Sequence, residues 1–529
     1  MKRGFVVMAL GLLSCSQKAH DPRDASPTVS SVTLPMPASA NAASTSTSVA
    51  EGSAAASGIA PRAAPTPPAV TFPPGDRIYA KARFVWIQRA PQSGQGWIGY
   101  LTLGGSVRLF EGDKDKARTI GPGCKEWFRV EPDGFVCLGA ETTLDPSDPE
   151  YVAIAAHRGR EGDPFPYEYG ESLGTPRYDR APTAKEQRKA EWDLEEHLGK
   201  IAEAKSAPTE VDPLYRGLDL LPAGQPIPEL PAFGGLVREA RAKVIRGSTI
   251  AWSQAYDDAA GRTWLYTSDH AWVPKDRVKP YPRSDFAGLA LSGADDSVSL
   301  PIAFFRKKDG FTYRVAGEVA EIAGEAHKRL SHVEITDERK MVNGVPFLKV
   351  RHQDLWVREP DCSVARKATT IPYNKDEGTG TRRTWLDISI FGGTMVAYED
   401  DKPVFVTLIS PGRGGTPIPG RDPVSTASTP TGTFRVDGKF RWASMVSSSD
   451  SNIVHAEVQY VQNFHGPHAL HGAYWHDAFG ELKSGGCVNL SPADSKWVFE
   501  WTDPKLPTDW HGLRSTADRG IPTRILIRD

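Results

Sequence analysis

The chain has 529 residues, of which 39% are hydrophobic and 24% are charged, and its formal net charge is −2. This length and composition are those of a globular protein that can form several hydrophobic cores, so we expect three or four domains. The nearly balanced charge excludes a general electrostatic attraction to nucleic acid or to anionic lipid.

An export signal is predicted at the N-terminus. A basic pair at residues 2–3 precedes an apolar run at 5–13, which is too short to span a bilayer. Residues 12–15 (LLSC) resemble a bacterial lipoprotein cleavage box, which implies that residues 1–15 are a signal peptide and that Cys15 becomes lipidated. Because Ser16 follows, this resemblance implies an exported, periplasmic protein anchored in the outer membrane rather than the inner one. The alternative is an ordinary secretory signal with an incidental cysteine.

Residues 16–75 consist mainly of Ala, Ser, Thr and Pro and contain almost no large apolar side chains. Such a segment cannot bury enough apolar surface to offset the entropy lost on ordering. It therefore predicts a disordered tether between the anchor and the folded part.

Paired aromatic strands recur in the next three hundred residues. At 127–136, 264–273 and 347–357, an aromatic-led strand, a polar turn and a second aromatic strand follow one another. This arrangement resembles the terminal hairpin of bacterial SH3-like domains, small β-barrels that often accompany cell-wall enzymes. The alternative is a different β-rich domain, since aromatic hairpins are common. The expected SH3-like domains are 76–150, 236–285 and 286–372.

A helix is predicted between the first two of these domains. Thr183 and Glu186 have the spacing of a capping box, and apolar residues recur at helical spacing as far as Ile201. We predict one amphipathic helix, from about residue 184 to 204, within a connector at 151–235.

The C-terminal part, residues 383–529, is predicted to be a β domain with one or two helices. Runs at 385–390, 394–399 and 404–409 predict its first strands, and residues 524–527 predict a closing strand. Residues 491–494 (SPAD) have the composition of a helix start, so a helix should follow and extend through residue 501. The fold class expected for the whole chain is mainly β.

Two short segments of this domain carry the chemistry, HGAYW at 471–475 and SGGCVNL at 484–490. A thiol next to glycine can approach a carbonyl closely, and a nearby histidine can take its proton. The two segments resemble the catalytic motif of the L,D-transpeptidases, the YkuD-type domain. Residues 428–434 (STPTGTF) resemble a further segment of that family. Gly485 departs from the family pattern, which has a second histidine at this position.

The resemblance implies a β-sandwich that needs no cofactor and transfers acyl groups on peptidoglycan. It implies that Cys487 is the nucleophile, that His471 is its base, and that the main-chain carbonyl of Gly472 holds the imidazole ring. We expect the backbone amides of Gly486 and Cys487 to form the oxyanion hole, because glycine leaves its amide open. The residues expected to line the substrate site are Ser484, Asn489, Tyr474 and Trp475.

Three cysteines remain if Cys15 is acylated and Cys487 is catalytic. Cys124 and Cys137 are close enough in sequence to close a small loop, which an exported protein would oxidise to a disulfide. Cys362 is left without an assigned partner, and the pairing could instead involve it.

Further histidines lie near the motif. His465, His468 and His471 are three residues apart, which raises the alternative of a metal site with Cys487. Because residues three apart on a strand point to opposite faces, and no HExxH helix is present, we assign no metal ligands. His468 or His476 is a candidate to replace the missing histidine beside the nucleophile.

The resemblance further implies the reaction and its partners. Cys487 would attack the carbonyl of the third residue of a tetrapeptide stem and expel the terminal D-alanine. The acyl group would then pass to the side-chain amine of another stem, forming a 3→3 cross-link. With water as acceptor the protein would be an L,D-carboxypeptidase, and loss of activity would leave a wall-binding lipoprotein. The expected partners are peptidoglycan tetrapeptide stems and, through the lipid, a membrane.

Overall fold

The computed structural model describes residues 75–94, 96–206, 225–226, 243–258, 260–291, 298–306, 309–373, 381–447 and 453–529. The predicted signal peptide, the lipidation site Cys15 and the tether lie outside these ranges, apart from residue 75. The described chain is mainly β, as predicted, and contains 32 strands and six α-helices. No helix within those ranges is long and apolar enough to cross a membrane.

The first β unit contributes strands to two sheets. One is a three-stranded sheet of order β4-β1-β8, and the other strands form one end of a ten-stranded sheet. The predicted hairpin is confirmed, because β6 and β7 pair antiparallel, and a disulfide joins Cys124 to Cys137 across them with a Cα–Cα distance of 5.9 Å. The elements are β1 (Arg77–Ala80), β2 (Val85–Gln88), β3 (Trp97–Leu101), β4 (Ser106–Arg108), α1 (Lys114–Ala117), β5 (Arg118–Gly121), β6 (Cys124–Arg129), β7 (Phe135–Leu138), β8 (Thr142–Thr143) and α2 (Pro149–Ala156).

The second β unit is a six-stranded sheet in which β13, β12, β11, β9 and β14 are successive neighbours and β10 pairs with β11. The predicted hairpin is confirmed as β12 and β13. Strand β9 comes from the segment expected to be a connector, so the sheet reaches beyond 236–285. The elements are β9 (Glu168–Ser172), α3 (Ala184–Ala190), α4 (Leu194–Ser206), β10 (Gln225–Pro226), β11 (Thr249–Asp257), β12 (Thr263–Thr267), β13 (Trp272–Pro274) and β14 (Val278–Pro280).

The prediction of one continuous helix in this unit is wrong, because α3 and α4 are separated at Glu191. The capping box of Thr183 and Glu186 is present at the start of α3. Glu191, however, is buried, and its carboxylate lies 2.7 Å from a guanidinium nitrogen of Arg262 and 2.6 Å from one of Arg277. An unpaired buried carboxylate would be costly, so these contacts favour the turn of the chain over a continued helix.

The third β unit is a seven-stranded sheet of order β18-β17-β21-β20-β19-β16-β22. Its predicted hairpin is confirmed as β20 and β21. Cys362 is an unbridged, buried thiol whose pKa is raised to about 12 by burial. Strand β15 pairs instead with β25 of the C-terminal domain. The elements are β15 (Leu289–Ala290), β16 (Ile302–Phe305), β17 (Asp309–Ala316), β18 (Val319–Lys328), β19 (His332–Val342), β20 (Val345–Val350), β21 (Trp356–Arg358) and β22 (Cys362–Ala365).

The C-terminal domain has two sheets around one core. The first has the order β15-β25-β24-β23-β32-β26, and the second begins β30-β29-β28-β27-β31. Side chains from both sheets and from α6 form a common cluster that includes Ile388, Phe464, Leu470, Val488 and Val498. The elements are β23 (Thr384–Ser389), β24 (Thr394–Glu399), β25 (Lys402–Leu408), α5 (Pro423–Thr426), β26 (Gly432–Arg435), β27 (Gly438–Val446), β28 (Val454–His465), β29 (His468–Gly472), β30 (Val488–Leu490), α6 (Pro492–Trp501), β31 (Gly512–Arg514) and β32 (Arg524–Arg528).

The second of these sheets continues into the first β unit. Strand β31 pairs with β27 on one side and with β3 on the other, where Gly99 lies opposite Leu513. The fully buried ring of Trp510 occupies the space beside Gly99, and its indole nitrogen donates to the carbonyl of Glu131 at 3.0 Å. The two parts therefore share one sheet and one core.

Candidate active site

Parallel pairing of β29 and β30 brings the two motif segments together. His471 lies opposite Asn489, and Leu470 lies opposite Val488. Successive residues on a strand point to opposite faces, so Leu470 and Val488 enter the core while His471 and Asn489 share the other face. Cys487 precedes Asn489 by two residues and therefore belongs to the face that carries His471.

The Cys487 thiol is half-buried rather than sealed in the core. It donates a weak hydrogen bond to the carbonyl of Pro467, with a sulfur–oxygen distance of 3.8 Å, and the amide of Ala469 points at the sulfur. Burial raises the pKa of the thiol to about 11. The resting thiol is therefore protonated at neutral pH and needs a base to become a nucleophile.

The His471 ring is buried, and its two nitrogens have different partners. Nδ1 lies 2.9 Å from the carbonyl oxygen of Gly472, the contact that the resemblance implied. Nε2 lies 3.1 Å from the side-chain nitrogen of Asn489. Burial lowers the pKa of His471 to about 4, so the ring is neutral at neutral pH. A proton on Nδ1 leaves the basic lone pair on Nε2.

Gly486 has little free space around it. Its φ is +129°, and a Cβ there would lie 3.0 Å from both the carbonyl oxygen of Ser428 and Nε2 of His468. Its amide donates to the hydroxyl of Ser484 at 3.0 Å, and that hydroxyl donates to the carbonyl of Cys487. The expectation of an open Gly486 amide is thus corrected, because a side chain that was expected to contact substrate already occupies it.

Tyr474 does not line an opening. It is 3% exposed, and its ring stacks on Tyr169 at a centroid distance of 3.7 Å. Its hydroxyl lies 2.6 Å from the hydroxyl of Thr249 and from the carbonyl of Ala456. The expectation that Tyr474 contacts substrate is therefore corrected, because its aromatic face and its hydroxyl join the second β unit to the C-terminal domain.

Trp475, in contrast, is half-buried beside His471. Its ring centroid lies 5.8 Å from that of His471 and 4.5 Å from that of His455, on which it stacks. His455 was not singled out in the sequence, since it belongs to a strand far from the motif. Burial lowers its pKa to about 4.

The other histidines of the motif region have separate environments. The ring of His468 lies against Gly486, and its Nδ1 is 3.2 Å from the carbonyl of His465, which is itself exposed. Nε2 of His476 lies 3.2 Å from the side-chain oxygen of Asn489. Across the described ranges, no three His, Cys, Asp or Glu side chains converge in a way that would hold a metal ion.

The C-terminal domain matches one known protein family. Residues 383–509 match the YkuD family, the L,D-transpeptidase catalytic domain. The match covers roughly a quarter of the chain and contains both motif segments. It supports a transpeptidase-type enzyme, and it leaves the three N-terminal β units unassigned.

Solved L,D-transpeptidases are similar to the chain at low identity. The enzyme from Xylanimonas cellulosilytica is 23% identical over 30% of this chain and 65% of its own, with a TM-score of 0.20. The enzyme from Stackebrandtia nassauensis is 20% identical over 30% and 62%, with a TM-score of 0.19. The chain thus spans less than two thirds of both. An L,D-transpeptidase from Mycobacterium tuberculosis is 18% identical over 35% and 66%, with a TM-score of 0.21. No curated protein matches the sequence.

Proposed function

We propose that this protein is a peptidoglycan L,D-transpeptidase that forms 3→3 cross-links through an acyl-enzyme on Cys487. The observation that carries the proposal is the arrangement of His471. Its Nδ1 is bonded to a backbone carbonyl, so its lone pair is on Nε2, on the strand face of Cys487, in a domain that matches the L,D-transpeptidase family.

The first half-reaction forms a thioester. Nε2 of His471 accepts from the Asn489 amide at rest, so this hydrogen bond must first be released. Nε2 then takes the Cys487 proton as the sulfur attacks the carbonyl carbon of the third stem residue. The peptide bond to the terminal D-alanine then breaks, and the imidazolium gives its proton to the leaving amine. Because the Gly486 amide is bonded to Ser484, the amide of Cys487 is the remaining donor of the expected oxyanion hole.

The second half-reaction restores the thiol. The side-chain amine of a second stem attacks the thioester, loses a proton to His471 and expels the sulfur, which then recovers that proton. Because burial lowers the pKa of His471, the ring is unprotonated at the start of each half-reaction and can accept a proton.

The test uses the full chain with tetrapeptide muropeptides. Mass spectrometry should detect a thioester on Cys487, release of D-alanine and a dimer linked from third residue to third residue. Cys487→Ala should abolish all three. Cys362 is an internal control, because its unbridged thiol is buried and should stay unmodified.

The products separate this proposal from its alternatives. D-alanine release with only tripeptides as product would show that water is the acceptor and that the protein is an L,D-carboxypeptidase. Absence of both thioester and D-alanine, with retention of the protein on sedimented cell walls, would overturn the enzyme proposal in favour of a wall-binding protein.

We also propose that the chain is exported and held in the outer membrane through lipidated Cys15, and that SH3-like units hold it at the wall. Support comes from the lipoprotein-like segment at 12–15 and from the three confirmed aromatic hairpins. Incorporation of labelled palmitate that is lost in Cys15→Ser would support the anchor. Equal labelling of both proteins would contradict it.

A further inference from the structure

A continuous chain of hydrogen bonds passes through Asn489 and connects two backbone groups, the amide of Ala478 and the carbonyl of Gly472. The amide of Ala478 donates to Nδ1 of His476 at 3.2 Å. Nε2 of His476 lies 3.2 Å from the side-chain oxygen of Asn489, whose nitrogen lies 3.1 Å from Nε2 of His471. Nδ1 of His471 then meets the carbonyl of Gly472 at 2.9 Å.

The two ends of this hydrogen-bond chain fix the position of every proton within it. Ring tautomers and amide orientations follow from the hydrogen-bond network, and here both ends are backbone groups with only one role each. An amide can only donate, so neutral His476 carries its proton on Nε2. A carbonyl can only accept, so neutral His471 carries its proton on Nδ1. Asn489 must then present its oxygen to His476 and its nitrogen to His471.

We propose that His476 is a positioning residue that acts through Asn489 to keep His471 in the tautomer whose lone pair is on Nε2, where it accepts from the Asn489 amide. Its consequence for turnover rests on the proposed function. Without the donor on His476, the Asn489 amide can rotate and present its oxygen to His471. That orientation favours a proton on Nε2, which is the nitrogen that must accept the thiol proton.

The position of His476 is itself held by the third β unit. Arg329 follows β18, and its guanidinium donates to the carbonyl of Asp477 at 2.6 Å and contacts the Asp477 carboxylate at 3.0 Å. The ring of Phe479 lies 5.4 Å from that of His476. Burial lowers the pKa of His476, and the charged groups that act on it are Lys483, Asp477 and Arg329. The ring is therefore neutral, as the hydrogen-bond chain requires. Since residue 485 is glycine, this ring is contributed from outside the SGGC segment.

Three substitutions at His476 distinguish the effect of its hydrogen-bond donor from the effect of its packing. His476→Gln keeps a donor toward Asn489 and an acceptor toward the Ala478 amide. His476→Phe keeps the ring volume and removes both groups. His476→Glu offers only acceptors, which reverses the orientation demanded of Asn489. His465→Gln is the matched control, because His465 is exposed on the neighbouring hairpin.

The first readout is turnover in the muropeptide assay. We expect kcat within about threefold of the parent for Gln, a loss of about tenfold to a hundredfold for Phe, and the largest loss for Glu, because these are the effects of a positioned proton acceptor. KM should change little. Equal kcat in all three variants would overturn the proposal.

The second readout does not depend on activity. With 15N-labelled histidine in the full chain, two-bond nitrogen–proton correlations report the tautomer of His471. The proton should be on Nδ1 in the parent, in His476→Gln and in the His465→Gln control. In His476→Glu it should shift toward Nε2. Inactive variants with an unchanged His471 tautomer would show that His476 only packs, which overturns the proposal. A tautomer shift in a protein that never forms a thioester would uphold the positioning role while the proposed function fails.

Discussion

The hydroxyl of Thr429 donates to the carbonyl oxygen of Gly486 at 2.9 Å and accepts a hydrogen bond from the amide of Gly412 at 2.8 Å. Thr429 is fully buried, so neither backbone group can turn to solvent in its place. One hydroxyl therefore connects the STPTGTF segment and the backbone of Gly412 to Gly486, the residue that precedes Cys487.

Thr429→Val should destabilise the protein, because it keeps the shape and leaves two buried backbone groups without a partner. Each such group costs about 1–3 kcal/mol, so we expect a loss of about 2–4 kcal/mol in the free energy of unfolding of the C-terminal domain, together with slower acylation. Urea denaturation measures the first quantity. Thr429→Ser is the control, since it retains the hydroxyl, and equal stability of the two variants would contradict the assigned role.

Gly486→Ala should reduce acylation of Cys487 by tenfold or more. The new methyl group would need to displace the carbonyl of Ser428 or the ring of His468, both 3.0 Å away, and would also strain a backbone at φ +129°. Acylation rate is followed by intact-protein mass spectrometry. Gly466→Ala also has a positive φ but no atom within 4 Å, so it should leave the rate nearly unchanged. Equal effects would assign the loss to backbone strain alone.

Alkylation of Cys487 by iodoacetamide should accelerate about tenfold per pH unit from pH 7 to pH 10. Only the thiolate reacts, and burial raises the pKa of this thiol to about 11, so the thiolate fraction still rises where an ordinary thiol near 8.5 has levelled off. Peptide mapping at each pH gives the rate, with Cys362 as the unreactive reference. A plateau near neutral pH would show instead a preformed thiolate–imidazolium pair.

Glu191→Gln should destabilise the second β unit by about 3 kcal/mol, because the guanidinium groups of Arg262 and Arg277 lose the buried carboxylate that they share and keep only one carboxylate partner each, Asp276 and Asp193. Chemical denaturation followed by tryptophan fluorescence measures the change. Glu195→Gln removes a carboxylate that is 75% exposed and paired with Arg188, so it should cost less than about 1 kcal/mol. A Glu191 variant as stable as the Glu195 variant would show that the pair does not determine where α3 ends.

The sequence predicted those strands and helices that are determined by neighbouring residues in the chain. Alternating apolar residues located the strands, the aromatic hairpins at 264–273 and 347–357 are present, and α6 begins after Ser491, whose hydroxyl accepts from the amide of Asp494 at 3.0 Å. The end of α3 was not predictable in this way. It depends on Arg262 and Arg277, which are 71 and 86 positions from Glu191 in the chain.

The same distinction applies to the candidate active site. The motif located Cys487 and His471. The backbone pairing of β29 with β30 places His471 beside Asn489, two residues after Cys487. Tyr474 was assigned to the substrate because it is adjacent to the motif, yet the hydroxyl partner it finds, Thr249, is 225 residues away. Sequence adjacency gives no information about which face of a residue another domain will cover.

The pairing of β31 with β3 limits how far the protein can be truncated from its N-terminus. A truncation that begins at residue 383 would remove β3 and expose the side chains of Trp510 and Leu513. It would also leave the edge of β31 that faces β3 without hydrogen-bond partners, beside apolar side chains. Such edges recruit other chains and aggregate. The smallest soluble fragment that keeps the surroundings of Cys487 intact should therefore retain residues 75–156, although the match to the YkuD family begins only at 383.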